Sequence, residues 1–104
     1  MKLGCASYSY LRMFESKRMD WAGFLERAWR MKLDGVEVNS LFMPRDKKVA
    51  TDIKRGALKL GLDINALTLD INLCEPTAAK RERAVDSVKQ WIDIAALLGA
   101  PAMR

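Results

Sequence analysis

The pattern of apolar and polar residues along the chain predicts strands that alternate with helices. Residues 2–7 form a short run typical of a buried strand, and residues 35–39 and 64–71 alternate apolar with polar side chains. A polar, basic stretch comes after the first strand and runs through Lys17 and Arg18. Further along, apolar residues recur three or four positions apart between the strands, as on one face of a helix. The pattern is typical of repeated βα units.

Residues that favour helix ends bound the three predicted helices. Aspartate, threonine and proline favour the start of a helix, and glycine favours the position after its end. The predicted starts are Asp20 for a helix over residues 21–32, Asp46 for the second and Pro76–Thr77 for the third, and the last two end at Gly61 and Gly99. Trp21, Trp29 and Trp91 lie on these helices and are predicted to pack rather than to bind a ligand.

The spacing of the strands indicates which α/β architecture the units build. Strands begin near residues 2, 35, 64 and 101, close to the ~31 residues per unit of an eight-unit barrel. A doubly wound domain would normally need five strands. We therefore predict an α/β fold with parallel strands, made of three βα units plus the start of strand four of a (β/α)8 barrel. Residues 1–104 are expected to form a single, truncated domain, the N-terminal part of that barrel.

Charge and composition narrow the function. The 104 residues include 18 basic and 13 acidic side chains, a net charge of +5, and acids lie among the bases throughout. This distribution is typical of solvated helix faces, so no nucleic-acid partner is expected. The chain has no histidine, which excludes a Ser-His-Asp triad, a Cys-His dyad or a histidine-rich metal site within it.

Cysteine spacing and hydropathy indicate the cellular compartment in which the protein is expected. Cys5 and Cys74 lie far apart with no CxxC spacing, which argues against a zinc ribbon or a disulfide scaffold. No run approaches the ~18 apolar residues of a membrane span, and the N-terminus lacks the apolar core of a signal peptide. A cytoplasmic protein with free thiols and no membrane partner is expected.

Polar side chains lie along one face of the strands toward their C-terminal ends, where barrel enzymes build their sites. Val36 and Val38 alternate with Glu37 and Asn39, and Ser7 and Ser9 continue the face of Cys5. In the third strand Leu67, Leu69 and Ile71 alternate with Thr68, Asp70 and Asn72. The residues expected to line one mouth are Ser7, Glu37, Asn39, Asp70, Asn72 and Arg104.

Structural roles remain open for each of these residues. Glu37 could lie on an exposed edge or pair with an arginine. Asn39 and Ser40 could only turn the chain. Asp70 and Asn72 could form the polar exit of a strand and cap the next segment of the chain.

Three segments resemble the sugar phosphate isomerase/epimerase family of the xylose isomerase-like barrel group. They are MKLGCASYSY at 1–10, LDGVEVNS at 33–40 and VKQWIDIAALLGAP at 88–101. The resemblance implies a barrel that binds a divalent metal (Mn, Mg, Zn or Co) through ligands from later strands, and none of those ligands lies in this chain. Its implied role for Ser7, Tyr8, Glu37, Asn39 and Arg104 is to shape the substrate pocket, and Asp70 and Asn72 match less closely.

The resemblance implies the N-terminal part of a metal-dependent isomerase or epimerase that moves a proton between adjacent carbons of a sugar or polyol. No catalytic residue is assigned within this chain, and the 104 residues alone are expected to be inactive. Two alternatives stay open. One is a partial-barrel module without catalysis that self-associates through its exposed edges as a homo-oligomer. The other is a related metal-dependent apurinic endonuclease.

Overall fold

Three parallel strands form the centre of the fold. The computed structural model describes all 104 residues. The strands are β1 (Gly4–Ala6), β2 (Gly35–Asn39) and β3 (Asp63–Thr68), and their order in the sheet is β1-β2-β3. Each pair of neighbours is parallel. Because the strand order matches the chain order, each strand lies beside the next one along the sequence, as in a (β/α) barrel.

Four helices connect or succeed the strands: α1 (Leu11–Glu15), α2 (Trp21–Arg30), α3 (Lys47–Lys59) and α4 (Ala78–Leu98). The predicted caps are confirmed. The side chains of Asp20, Asp46 and Thr77 each accept a hydrogen bond from a backbone N–H in the first turn of the adjoining helix. Gly99 ends α4 in the left-handed conformation, with φ of 72°, which glycine adopts without strain.

The chain begins a fourth strand beside β3. Leu67 and Met103 form an isolated parallel bridge. The N–H of Leu67 donates to the carbonyl of Ala102 at 3.0 Å, and the N–H of Arg104 donates to the carbonyl of Leu67 at 2.9 Å. Three βα units and the start of strand four are therefore present, as the strand spacing predicts.

A single core lies between the sheet and the helices. Val36, Val38 and Leu67 are completely buried on the helix-facing side of the sheet. They belong to a cluster of 16 buried apolar residues that α2, α3 and α4 complete, with Phe24 of α2 also completely buried. This side corresponds to the helix-covered outer surface of a barrel, so the other face of the sheet is the interior one.

The third strand reaches the core through a bulge. Val36 pairs with Ile64, whereas Glu37 pairs with Ala66, so Asn65 is an extra residue in β3. Ile64 and Leu67 are consequently both buried although three positions separate them. A strand without a bulge would point them to opposite faces.

Two sequence predictions about strand length are wrong. The strand predicted over 2–7 ends at Ala6, and residues Ser7–Tyr10 form a 3-10 turn that leads into α1, so Ser7 and Ser9 do not continue the strand alternation of Cys5. The short helix carries Phe14 into an aromatic cluster, where its ring stacks 4.7 Å from that of Phe42, and burial of this ring favours the compact turn.

The strand predicted over 64–71 ends at Thr68. Beyond it, the N–H of Asp70 donates to the Ser40 hydroxyl at 3.0 Å and not to a neighbouring strand. Asp70, Ile71 and Asn72 therefore lie in a loop, where strand alternation does not apply. No helix of the chain combines the length and the apolar character needed to cross a membrane.

Candidate functional site

Side chains from three neighbouring strands meet at the C-terminal end of the sheet. Glu37 comes from β2, Thr68 from β3 and Arg104 from the start of strand four. The Thr68 hydroxyl donates a short hydrogen bond to Oε1 of Glu37. Nη2 of Arg104 donates to the same Oε1 at 2.9 Å and lies 3.5 Å from the Thr68 hydroxyl. We call these three residues the Glu37 cluster.

The Glu37 cluster lies on the interior face of the sheet. Glu37 alternates with Val36 and Val38, whose side chains face the helices, so it points the other way. Ala6 and Ala66 are its register partners on β1 and β3. Both neighbours carry only a methyl group, so neither places a polar group beside Glu37. Of the predicted site residues, Glu37 and Arg104 are in contact through their side chains, which confirms the alternative that Glu37 pairs with an arginine.

The electrostatics favour an ionised Glu37. Its side chain is 21% exposed, whereas that of Arg104 is 74% exposed. Burial raises the pKa of the Glu37 carboxyl, but the hydrogen bonds from Thr68 and Arg104 and the Arg104 charge outweigh it, so the pKa is lowered overall. Glu37 is therefore a carboxylate at neutral pH.

Ser7 and Asn39 are buried beside the cluster and have structural partners. Ser7 is completely buried, and its hydroxyl accepts the N–H of Asn39 at 2.9 Å. The Asn39 side chain accepts the N–H of Leu41 at 2.9 Å and so begins the 3-10 turn Ser40–Phe42. The turn-forming role considered for Asn39 is confirmed, and a pocket role for Ser7 and Asn39 stays a prediction.

The other predicted site residues lie outside the cluster. Tyr8 is half-exposed on the turn after β1. Asp70 and Asn72 are exposed in the loop after β3, where the Asn72 side chain accepts the N–H of Cys74 at 2.9 Å. That contact organises the loop before α4, which matches the polar-exit alternative, and their substrate-pocket role stays a prediction.

Sequence reasoning did not select Thr68 as a site residue. The alternation could have indicated it, because Thr68 lies two residues before Asp70 and on the same predicted strand face as Asp70 and Asn72. Among the tryptophans, Trp91 is buried and Trp21 packs on Phe14 and Phe24, but Trp29 is 52% exposed. The packing prediction is wrong for Trp29, because about half of this residue is exposed.

The residues of the chain do not fit a divalent metal. No group of three or more His, Cys, Asp or Glu side chains lies close enough together to hold one. Glu37 is the carboxylate of the interior cluster, and its Oε1 already bonds a hydroxyl and a guanidinium. A cation beside Arg104 would be repelled by its charge.

A cavity of about 430 Å³ lies at the opposite, N-terminal end of the sheet. Asp63 and Asn65 from the start of β3 line it, together with Lys54 of α3 and Pro101. Since barrel enzymes build their sites at the C-terminal ends of the strands, this cavity is separate from the candidate site.

Fold and site together define part of a (β/α) barrel, with a polar, charged cluster at the C-terminal ends of its strands. The sequence profile of the xylose isomerase-like TIM barrel matches residues 25–104. The chain belongs to this family.

Comparison with solved structures gives the same fold. The chain is similar to a xylose isomerase domain protein from Planctomyces limnophilus, with a TM-score of 0.65 and 16% sequence identity. The match covers 97% of this chain and 39% of that one, so the present chain spans about two fifths of the length of this neighbour. Among curated proteins, no sequence gives a significant match.

Proposed function

We propose that the chain is the N-terminal part of a sugar or polyol isomerase or epimerase, which moves a proton between adjacent carbons of its substrate. Family membership supports the coarse class, since the chain belongs to the xylose isomerase-like barrels. In this proposal the chain supplies part of the substrate pocket, and a divalent metal is held by residues outside it. A metal there would stabilise the negative charge that develops when a proton leaves the carbon beside a carbonyl.

One observation carries the proposal. The Glu37 cluster presents a carboxylate, a hydroxyl and a guanidinium on the interior face, at the C-terminal strand ends. Sugar hydroxyls are both donors and acceptors, so a carboxylate beside a guanidinium offers them one partner of each kind. A carboxylate is costly to bury in an apolar core, so its place on the interior face is better explained by contact with a polar ligand.

The test is an isomerisation and epimerisation assay on the intact gene product. Ketoses and aldoses of five and six carbons, free and phosphorylated, are incubated with Mn²⁺, Mg²⁺, Zn²⁺ or Co²⁺ in D₂O. Proton transfer that passes through solvent places deuterium at the reacting carbon, which NMR detects even when the equilibrium favours the substrate. We expect metal-dependent exchange with at least one sugar, and loss of exchange in EDTA.

The same assay contains its control and its contrary outcome. Glu37→Gln is compared with Asp63→Asn, a matched change at the far end of the sheet, where Asp63 pairs only with Lys2. Exchange should fall in the first variant and persist in the second. Absence of exchange with every sugar and metal would contradict the proposal, and cleavage of abasic DNA by the same preparation would replace it with the endonuclease alternative.

A second candidate rests on the two free edges of the sheet. The outer edge of β1 has no strand partner, and strand four pairs only with β3. Leu3, directly before β1, is about half exposed. We propose that a second copy pairs its strand four with this edge, since head-to-tail pairing would continue the parallel sheet.

Light scattering during size-exclusion chromatography tests the second candidate on the 104-residue chain. A dimer or larger assembly that Leu3→Lys dissociates, while Leu58→Lys on the exposed side of α3 does not, is the expected result. A monomer at micromolar concentration rules this association out.

A further inference from the structure

Glu37 uses only one of its two carboxylate oxygens within the protein. Both donors, the Thr68 hydroxyl and Nη2 of Arg104, bond Oε1. Every fully buried side-chain polar atom of the chain has a hydrogen-bond partner. Oε2 of Glu37 has none. Within residues 1–104, Oε2 is therefore not fully buried, although most of the Glu37 side chain is.

Arg104 is also only partly used. Its guanidinium donates through Nη2 alone, although the group carries five N–H donors. Within residues 1–104 the side chain is 74% exposed, so no other group of these residues occupies its remaining donors. Glu37 orients the guanidinium through the bond to Oε1, and it leaves the other nitrogens free.

We propose that Oε2 of Glu37 and the free N–H groups of Arg104 together bind a neighbouring pair of hydroxyls of a polyol, Glu37 accepting from one and Arg104 donating to the other. This inference rests on the proposed function and names its recognition element. The register partners of Glu37, Ala6 and Ala66, contribute no polar side chain that would compete with the ligand for Oε2. Glu37 is then an anchor for substrate hydroxyls, and the proton transfer between carbons is performed by other groups.

The electrostatics support an anchor rather than a proton shuttle. A general base or acid works best with a pKa near the operating pH. The pKa of Glu37 is lowered, because the hydrogen bonds and charge of its partners outweigh burial. Glu37 therefore stays ionised at neutral pH and keeps accepting hydrogen bonds.

The experiment measures binding and turnover separately. D-mannitol is the binding probe, because it has adjacent hydroxyls but no carbonyl and so cannot be isomerised. Its Kd for the intact gene product is measured by NMR titration for wild type, Glu37→Gln and Asp63→Asn. We expect Glu37→Gln to weaken mannitol binding about tenfold, as for the loss of one hydrogen bond to a charged group. Asp63→Asn should leave the Kd unchanged.

Arg104→Gln provides a second variant that does not depend on the buried carboxylate. Because Arg104 is largely exposed, this variant keeps the fold and should also weaken mannitol binding. If both variants bind mannitol as wild type does, the anchor proposal is overturned. Failure of the wild type to bind mannitol at any concentration up to the solubility limit of mannitol overturns it as well.

Kinetics on any sugar that shows exchange separate the two proposals. An anchor predicts that Glu37→Gln raises KM more than it lowers kcat. A fall in kcat with KM unchanged would place Glu37 in the proton transfer, which overturns the anchor but leaves the isomerase proposal intact. Weakened mannitol binding in a protein that exchanges no sugar would support the anchor and contradict the isomerase.

Discussion

The Glu37 carboxylate and the Arg104 guanidinium lie 2.9 Å apart although 67 positions separate them along the chain. Their contact joins β2 to the start of strand four across β3, with Thr68 of the intervening strand bonded to the same oxygen. A second ion pair, Lys2 with Asp63, lies at the other end of the sheet and is exposed on both sides. Only the Glu37 pair includes a mostly buried side chain, so it is the pair from which a measurable contribution is expected.

Glu37→Gln should make the free energy of unfolding depend less on pH in the acidic range. The pKa of Glu37 is lowered in the folded state, so its contribution is present above the unfolded value of about 4.3. It is lost as the pH falls through the lower, folded pKa. Because Arg104 is exposed, the contribution is modest. We expect the free energy of unfolding of the wild type to exceed that of Glu37→Gln by about 1 kcal/mol at pH 7.

Urea unfolding at several pH values from 7 to 3 measures this difference. The gap between the two free energies of unfolding should narrow below about pH 4.3. Asp63→Asn serves as the control, since its exposed pair should matter little at any pH. A gap that widens toward low pH would contradict the lowered pKa.

Ser7→Ala should destabilise the protein whatever its role in a pocket. The substitution removes the acceptor for the buried N–H of Asn39, and an unsatisfied buried donor costs about 1–3 kcal/mol. Ser9→Ala is the matched control, because Ser9 is exposed and should change stability by less than about 0.5 kcal/mol. Equal denaturation midpoints for the two variants would show that the Ser7 contact does not contribute to stability.

Leu67→Ala should be among the most damaging changes in the core. Leu67 is completely buried at the centre of the sheet, between β2 and the start of strand four. Truncation of such a side chain costs about 2–5 kcal/mol. Leu58→Ala, at a position 68% exposed, should cost less than about 1 kcal/mol. Denaturant unfolding of both variants checks the order, and comparable losses would indicate that the core does not close around Leu67.

Gly35→Ala should push β2 and β3 apart at their N-terminal ends. A Cβ at this position would lie 2.7 Å from the backbone carbonyl oxygen of Asp63, and the backbone cannot yield without breaking the parallel pairing. We expect a loss of about 1–3 kcal/mol, as for an overpacked core.

Gly23→Ala tests whether the steric clash, and not the loss of a glycine in itself, is responsible. A Cβ there would meet only side-chain atoms, the nearest being Oδ1 of Asp20 at 3.2 Å. Alanine also favours the helix, so stability should stay within about 1 kcal/mol of wild type. Melting temperatures measured side by side should fall for Gly35→Ala alone.

Prediction of the site from sequence succeeded in part. Glu37 is predicted by the alternation within residues 35–39, which the structure confirms as β2. Pairing of Glu37 with an arginine was one of the alternatives, but the sequence did not identify Arg104 as the partner, because that contact depends on the register between β2 and β3. The bulge at Asn65 sets that register, and nothing in the local pattern marks where an extra residue enters.

The sequence by itself determined the order of βα units, the caps at Asp20, Asp46 and Thr77, and the parallel sheet, because these depend on periodicity and on residues close together along the chain. Tertiary structure decided where β1 and β3 end, since packing of Phe14 and the bond from Asp70 to Ser40 override local strand preference. It also decided that Glu37, Thr68 and Arg104 meet. Such contacts depend on how strands pair across long separations, and strand pairing is fixed by packing on both faces of the sheet.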